Sequence, residues 1–250
     1  MQIFHINHIF HKATKKYPST KELASYLDEN YGARLSTNIA TKGKSQTINV
    51  YSSFVNDVYL PINESLLVRQ IQLLSDLFFN PLVQDQKFDE EIVKMKKKEL
   101  KERLQVNKDD KFSYSLDKLF EYMGKNHTLG IPSTGYEDEI DTISSHDLYK
   151  YFLETIQNDE KHLYVVGDID ESIIDILNQH LQFPENNKDY PSAYSFDSQR
   201  QDVLEIIEEQ DLTQSKLNMG YRIGCDFTSN HHYAFTVFNA LFGGFSQSRL

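Results

Sequence analysis

Residues 33–55, "ARLSTNIATKGKSQTINVYSSFV", run as two alternating stretches rich in Ile, Val and Thr on either side of a Lys42-Gly43-Lys44 turn. This pattern predicts two antiparallel strands joined as a hairpin. Helical spacing takes over on both sides of it. Upstream, "STKELASYLDENYG" sets Ser19 three residues before Glu22 as a capping box and puts Leu23, Tyr26 and Leu27 on one face before Gly32. Downstream, "INESLLVRQIQLLSDLFFNP" repeats Leu66, Leu67, Ile71, Leu74 and Phe78 until Pro81, which cannot continue a helix. A hairpin between amphipathic helices points to a two-layer α+β arrangement.

Further helices are expected over Phe88–Leu104 and Asp110–Gly124, the second with Phe112, Leu116, Leu119 and Phe120 inward. Another should begin at Ser144 or Ser145. "KHLYVVGDID" then reads as a buried strand ending in a turn at Gly167-Asp168, and "ESIIDILNQHL" as a helix lying back over the sheet. The polar stretch Pro184–Gln201, with two prolines and neither period, is the best linker in the chain. Beyond it, "DVLEIIEEQDLTQSKLNMGYRIG" reads as two strands around Asp211, and Ser229–Leu241 as a helix.

Charge and cysteine content narrow the function classes. Asp and Glu number 37 against 26 Lys and Arg, a net charge of −11, so a nucleic-acid backbone or an anionic membrane surface would repel the chain on average. The Lys94–Lys98 cluster reads as a solvated helix face with acidic neighbours Glu90, Glu91, Glu99 and Glu102. Cys225 is the single cysteine, which rules out an internal disulfide and multi-cysteine metal sites and fits a reducing cytoplasm. No apolar run approaches the ~18 residues of a membrane helix.

Three histidines, His5, His8 and His11, fall within a helix-like stretch at the start. On a helical wheel Ile3, Ile6, Ile9 and Phe10 gather on one side, and Phe4, Asn7, His8 and His11 on the other. Histidines three apart on a helix can share a zinc ion, which ordinarily needs a third protein ligand. Neither pair has beside it a Glu able to act as base on a metal-bound water. His231 and His232 are adjacent and make a poor chelating pair. Nucleophile elbows, Walker loops and dinucleotide glycine patterns are missing from the sequence.

In chain order, several segments resemble the insulinase/pitrilysin family of zinc metallopeptidases, the group of the mitochondrial processing peptidases. They are "HKATKKYPSTKELASYLDENYGARLSTN", "LLSDLFFNPLVQDQKFDEEIVKMKKKEL", "LGIPSTGYEDEIDTISSHDLYKYF", "LYVVGDID" and "HHYAFTVFNALFGGFSQSRL". The resemblance covers almost the whole chain. It implies an insulinase/pitrilysin-type (LuxS-like metallohydrolase) α+β fold, a two-layer antiparallel sheet with helices on one face, here apparently truncated at both ends. It also implies a first peptidase-like domain over 1–187, a linker over 188–200 and the start of a second, homologous domain over 201–250.

By the same resemblance, the family's HxxEH zinc motif falls on Phe4-His5-Ile6-Asn7-His8. Phe4 then replaces the first zinc histidine, Asn7 replaces the catalytic glutamate, and His8 survives. The third ligand falls at Arg103, with Glu102 one residue away. An amide cannot take a proton from a zinc-bound water, so no catalytic residue and no metal are expected. His5, His8, His11 and Glu102 are the weak candidates for a rearranged set. Family members lacking the motif resemble partners of active paralogues. The leading expectation is therefore a cytoplasmic, non-catalytic subunit that helps a zinc-bearing paralogue hold a peptide or small protein substrate, with no nucleic acid and no membrane span. The rival expectations are an active zinc endopeptidase using His5, His8 and Glu102, and a structural assembly subunit.

Overall fold

The computed structural model describes residues 14–43, 45–61, 65–125, 127–132, 134–185, 203–225 and 227–244. The chain divides into two compact units, Met1–Lys216 and Leu217–Leu250. The linker expected at 188–200 lies outside the described residues, apart from which the first unit holds nearly all the regular structure.

Helix α1 (Thr20–Glu29) begins with the expected capping box. The Glu22 amide donates to Ser19 Oγ at 3.2 Å, and the Ser19 amide donates to Glu22 Oε2 at 2.9 Å. Two of the orphan donors at the helix start are thereby satisfied. Tyr31 and Gly32, with φ of 59° and 70°, take the left-handed conformation that turns the chain out of the helix. Strand β1 (Arg34–Lys42) follows and pairs antiparallel with β2 (Ser45–Ser53), Arg34 opposite Ser53 and Lys42 opposite Ser45. Alternation gives the hairpin an inner face containing Leu35, Ile39, Ile48 and Ser52, and an outer face containing Arg34, Ser36, Asn38, Asn49, Tyr51 and Ser53. On the outer face Asn49 Nδ2 donates to Asn38 Oδ1 at 2.8 Å.

Helix α2 (Leu66–Phe79) crosses behind the inner face. Its buried residues are Leu66, Gln70, Ile71, Leu73 and Leu77, so the sealed stripe is rotated from the expected one, and Leu67, Leu74 and Phe78 are half-buried. The helix serves two clusters at once. Leu73 and Leu77 pack with Leu23 of α1 and Leu35 of β1, while Phe78 reaches the other way, to Phe88, Leu148 and Phe152. Gln70 sits in the sealed stripe, where its Oε1 accepts from Ser52 Oγ of β2 at 3.3 Å.

A tight hairpin, β3 (Val83–Gln84) and β4 (Lys87–Phe88), turns on Asp85 and Gln86, both at positive φ. It leads into α3 (Glu90–Asp109), which starts later and runs longer than expected because Phe88 belongs to β4 and Asp89 caps the helix. Helices α4 (Lys111–Met123), α5 (Ser145–Asn158) and α6 (Ser172–His180) complete the unit. After α4 the backbone closes on itself: a Cβ on Gly124 would lie 2.2 Å from the Gly130 nitrogen, so only glycine fits. From α5, Leu148 and Phe152 join Phe88 in the buried cluster; Tyr149 and Phe152 meet the Phe88 ring edge-on and stack on each other. The architecture is α+β, with antiparallel hairpins covered by helices on one face. Among the described residues no helix is long and apolar enough to cross a membrane.

Three expectations require correction. Residues 161–168, expected as a buried strand, form an extended segment without a ladder partner among the described residues, and Val166 is 96% exposed. Residues 203–223, expected as two strands, are likewise extended and unpaired. β-branched alternation prepares a chain for pairing, but a strand exists only when a neighbour supplies the other half of each hydrogen bond. In α4, Phe112 and Phe120 are exposed and no residue is fully buried; among the described elements the helix packs mainly on α3 and on the turn at Thr128–Gly130. In the second unit α7 (His232–Asn239) is shorter than expected and ends in a π-helical turn, Ala240–Gly244. Here Phe238 stacks on Phe242 at 5.4 Å.

Leu148 is wholly buried in the larger cluster, whereas Ile174 on α6 is mostly exposed. Leu148→Ala is expected to lower unfolding free energy in urea titrations by about 2–5 kcal/mol, and Ile174→Ala by less than about 0.5 kcal/mol.

Candidate functional site

Around the start of β1 the hairpin leaves an open groove of about 580 Å³ against α1. Residues 33–36 line it consecutively and so present both faces of the strand, while from β2 only Tyr51 and Ser53 reach it, both on the outer face. The groove therefore wraps the free edge of β1. That edge has no ladder partner among the described residues. On the inner side its wall is apolar, from Leu27, Ala33 and Leu35, with Asp28 at the rim. On the outer side it is polar, from Arg34, Ser36, Tyr51 and Ser53.

A second polar feature braces the wall. Tyr26 of α1 donates its hydroxyl to the Arg69 carbonyl of α2 at 3.3 Å, and Asn30 Nδ2 donates to the Tyr26 carbonyl at 2.6 Å. Burial, with the Tyr17 ring 4.5 Å away, pushes the Tyr26 phenol up to about 12. At neutral pH it is a donor and a packing group, with no acid–base chemistry to offer.

The cationic face of α3 is spent on structure. Lys101 pairs with Asp141 at 2.7 Å, Lys108 with Glu137 at 2.5 Å, and Lys97 donates to the Asp141 carbonyl at 3.3 Å. Part of the neutralising acid therefore comes from the loop before α5, a contact that intrahelical spacing does not reveal. Lys96 is buried, and its ammonium meets the half-exposed carboxylate of Glu99.

Of the residues singled out for metal chemistry, Phe4, His5, Asn7, His8 and His11 lie outside the described residues. Glu102 and Arg103 stand on α3, both exposed, and Glu102 pairs with Lys98 at 3.7 Å. A guanidinium cannot ligate zinc, and Glu102 is held by a lysine on the solvent side of the helix. Among the described residues no group of three His, Cys, Asp or Glu side chains could hold a metal ion. The described donors do not fit zinc.

Comparison with known proteins decides the lineage. Residues 142–250 match the family described as "Peptidase M16 inactive domain". Over 244 residues, 97% of this chain and 57% of the relative, the chain is 36% identical to the "Probable inactive metalloprotease YmfF" of Bacillus subtilis. The chain belongs to the insulinase/pitrilysin, or M16, peptidase family. It is also 22% identical to the "Uncharacterized zinc protease YmxG" of the same species, over 98% of this chain and 54% of the relative. The M16 chain thus spans about half the length of the curated relatives it matches. Its fold superposes on a conserved protein from Enterococcus faecalis V583 with a TM-score of 0.86 at 26% identity, over 100% of this chain and 59% of that one. It shares the fold of the periplasmic protease PqqL from Escherichia coli, with a TM-score of 0.55 at 14% identity over 78% of this chain and 21% of that one.

The α3 ion pairs give a pH signature. Lys101 and Lys108 hold the carboxyls of Asp141 and Glu137 below the usual carboxylate range. Depressed folded-state values mean that the stabilisation is present above the unfolded pKa and is lost as pH falls through the folded one. The double variant Lys101→Met, Lys108→Met is expected to melt below the parent at pH 7, the two melting temperatures converging below about pH 3. Thermal scans across pH check this.

Proposed function

We propose that this chain is a non-catalytic M16 subunit that helps hold an extended peptide or small protein substrate for a zinc-bearing paralogue. The observation that carries the reading is the free edge of β1, set in a groove with one apolar and one polar wall. An added strand gains main-chain hydrogen bonds along such an edge, and its alternate side chains meet the two walls in turn. The nine-residue length of β1 is ample for a short peptide. That the chain lacks hydrolytic chemistry of its own is supported by Asn7 and Phe4 at the motif positions and by Arg103, with Glu102 paired to Lys98, on α3. No resident cofactor is proposed; zinc belongs to the partner, and the pair is placed in the cytoplasm.

The test uses a quenched-fluorescence peptide set with equimolar zinc, for the chain alone and with the M16 paralogue that carries an intact HxxEH from the same organism. The chain alone is expected to bind peptide without cutting it, and to raise cleavage when the paralogue is added. N-methylation of alternate peptide amides should abolish binding, since it removes the donors an added strand needs. Cleavage by the chain alone that is lost with His8→Ala or with chelator would overturn the reading in favour of a rearranged zinc site.

A further inference from the structure

We infer that the β1 edge selects peptides in which an acidic residue is flanked by apolar ones, the acidic side chain meeting Arg34. The inference rests on the peptide-holding reading and deepens it by naming the class of occupant. The geometry sets the alternation. Arg34, Ser36, Tyr51 and Ser53 share the outer face of the hairpin, Arg34 opposite Ser53 and Ser36 opposite Tyr51. Leu35 points to the inner side, where it and Leu27 pack against the cluster of Leu23, Leu73 and Leu77. A strand added to β1 would place successive side chains on these two sides, each roughly 4.5–5.5 Å from its neighbour across the ladder. A residue on the outer side would lie beside Arg34, and those before and after it beside the Leu27 and Leu35 wall.

The charge follows from what Arg34 lacks. It is exposed and, among the described residues, makes no ion pair or side-chain hydrogen bond, in contrast to Lys96, Lys98, Lys101 and Lys108, each matched to a carboxylate of this chain. In a protein of net charge −11, a guanidinium left unmatched at a groove is the local exception to a repulsive background, and it favours a carboxylate that can be gripped by two N–H groups. Ser36 and Ser53, beside it on the same face, add hydroxyl donors. Asp28 stands on the α1 side of the groove and disfavours an acidic residue there, which fixes the acidic position to the outer side.

Two fluorescein-labelled peptides test this, Gly-Thr-Val-Glu-Val-Thr-Gly and its Glu→Gln counterpart, titrated with the intact chain by fluorescence anisotropy. The Glu peptide is expected to bind roughly fivefold more tightly at low salt, with the advantage shrinking as salt is raised. Arg34→Gln should remove the preference and Arg34→Lys should keep part of it, read in each variant as the ratio of its affinities for the Glu and Gln peptides. Equal binding of the two peptides by the parent, or a preference that survives Arg34→Gln, overturns this inference and leaves the peptide-holding reading in place. Failure of both peptides to bind overturns that reading and this inference together.

Discussion

The first unit depends on how α2 is wedged between two apolar clusters. Leu73 and Leu77 close one against α1 and the start of β1, and Phe78 closes the other against β4 and α5. The hairpin is held by both, through Leu35 at one end of its inner face and Ile48 further along it. Because one helix anchors both clusters, its position sets the distance between α1 and β1. The groove at the β1 edge is a consequence of that packing. Gln70 illustrates the constraint: it occupies a sealed position because it accepts a hydrogen bond from Ser52 and thereby ties helix to strand, although its amide nitrogen is buried without a partner among the described residues. A polar group in such a place costs free energy and fixes register at the same time.

The outer layer follows different physics. Salt bridges from α3 to the loop before α5 are exposed, individually weak and pH-sensitive. They orient the long helix without contributing much to the core. Glu102 and Arg103, which the resemblance in sequence sets at the third ligand position, stand on this same helix, on a surface given over to lysine–carboxylate pairing and facing solvent. The helix has kept its packing role on one side, through Val93 and Leu100, while its other side carries ordinary surface charge.

Local signals in the sequence were strong where a single element satisfies itself. The capping box at Ser19, the helix start at Ser144 or Ser145, the hairpin turn at Gly43 and the extents of α1, α2 and α6 all depend on contacts within a few residues, and each is found as expected. Spacing was less informative where burial depends on a second layer. The apolar residues of α4 are correctly periodic, yet Phe112 and Phe120 face outward. Residues 161–168 have the composition of a buried strand and stand unpaired and exposed among the described residues.

Family membership was legible in the sequence alone, because it concerns the identity of side chains in a known order. The groove needed the tertiary structure. Nothing in the spacing of Leu27, Arg34 and Tyr51 brings them to one surface; antiparallel register does so for Arg34 and Tyr51, and the packing of α1 on α2 does so for Leu27. Whether a charge is matched is likewise a property of space. Lys101 and Arg34 look equally free in the sequence, and only the folded chain supplies a carboxylate to one and, among the described residues, none to the other.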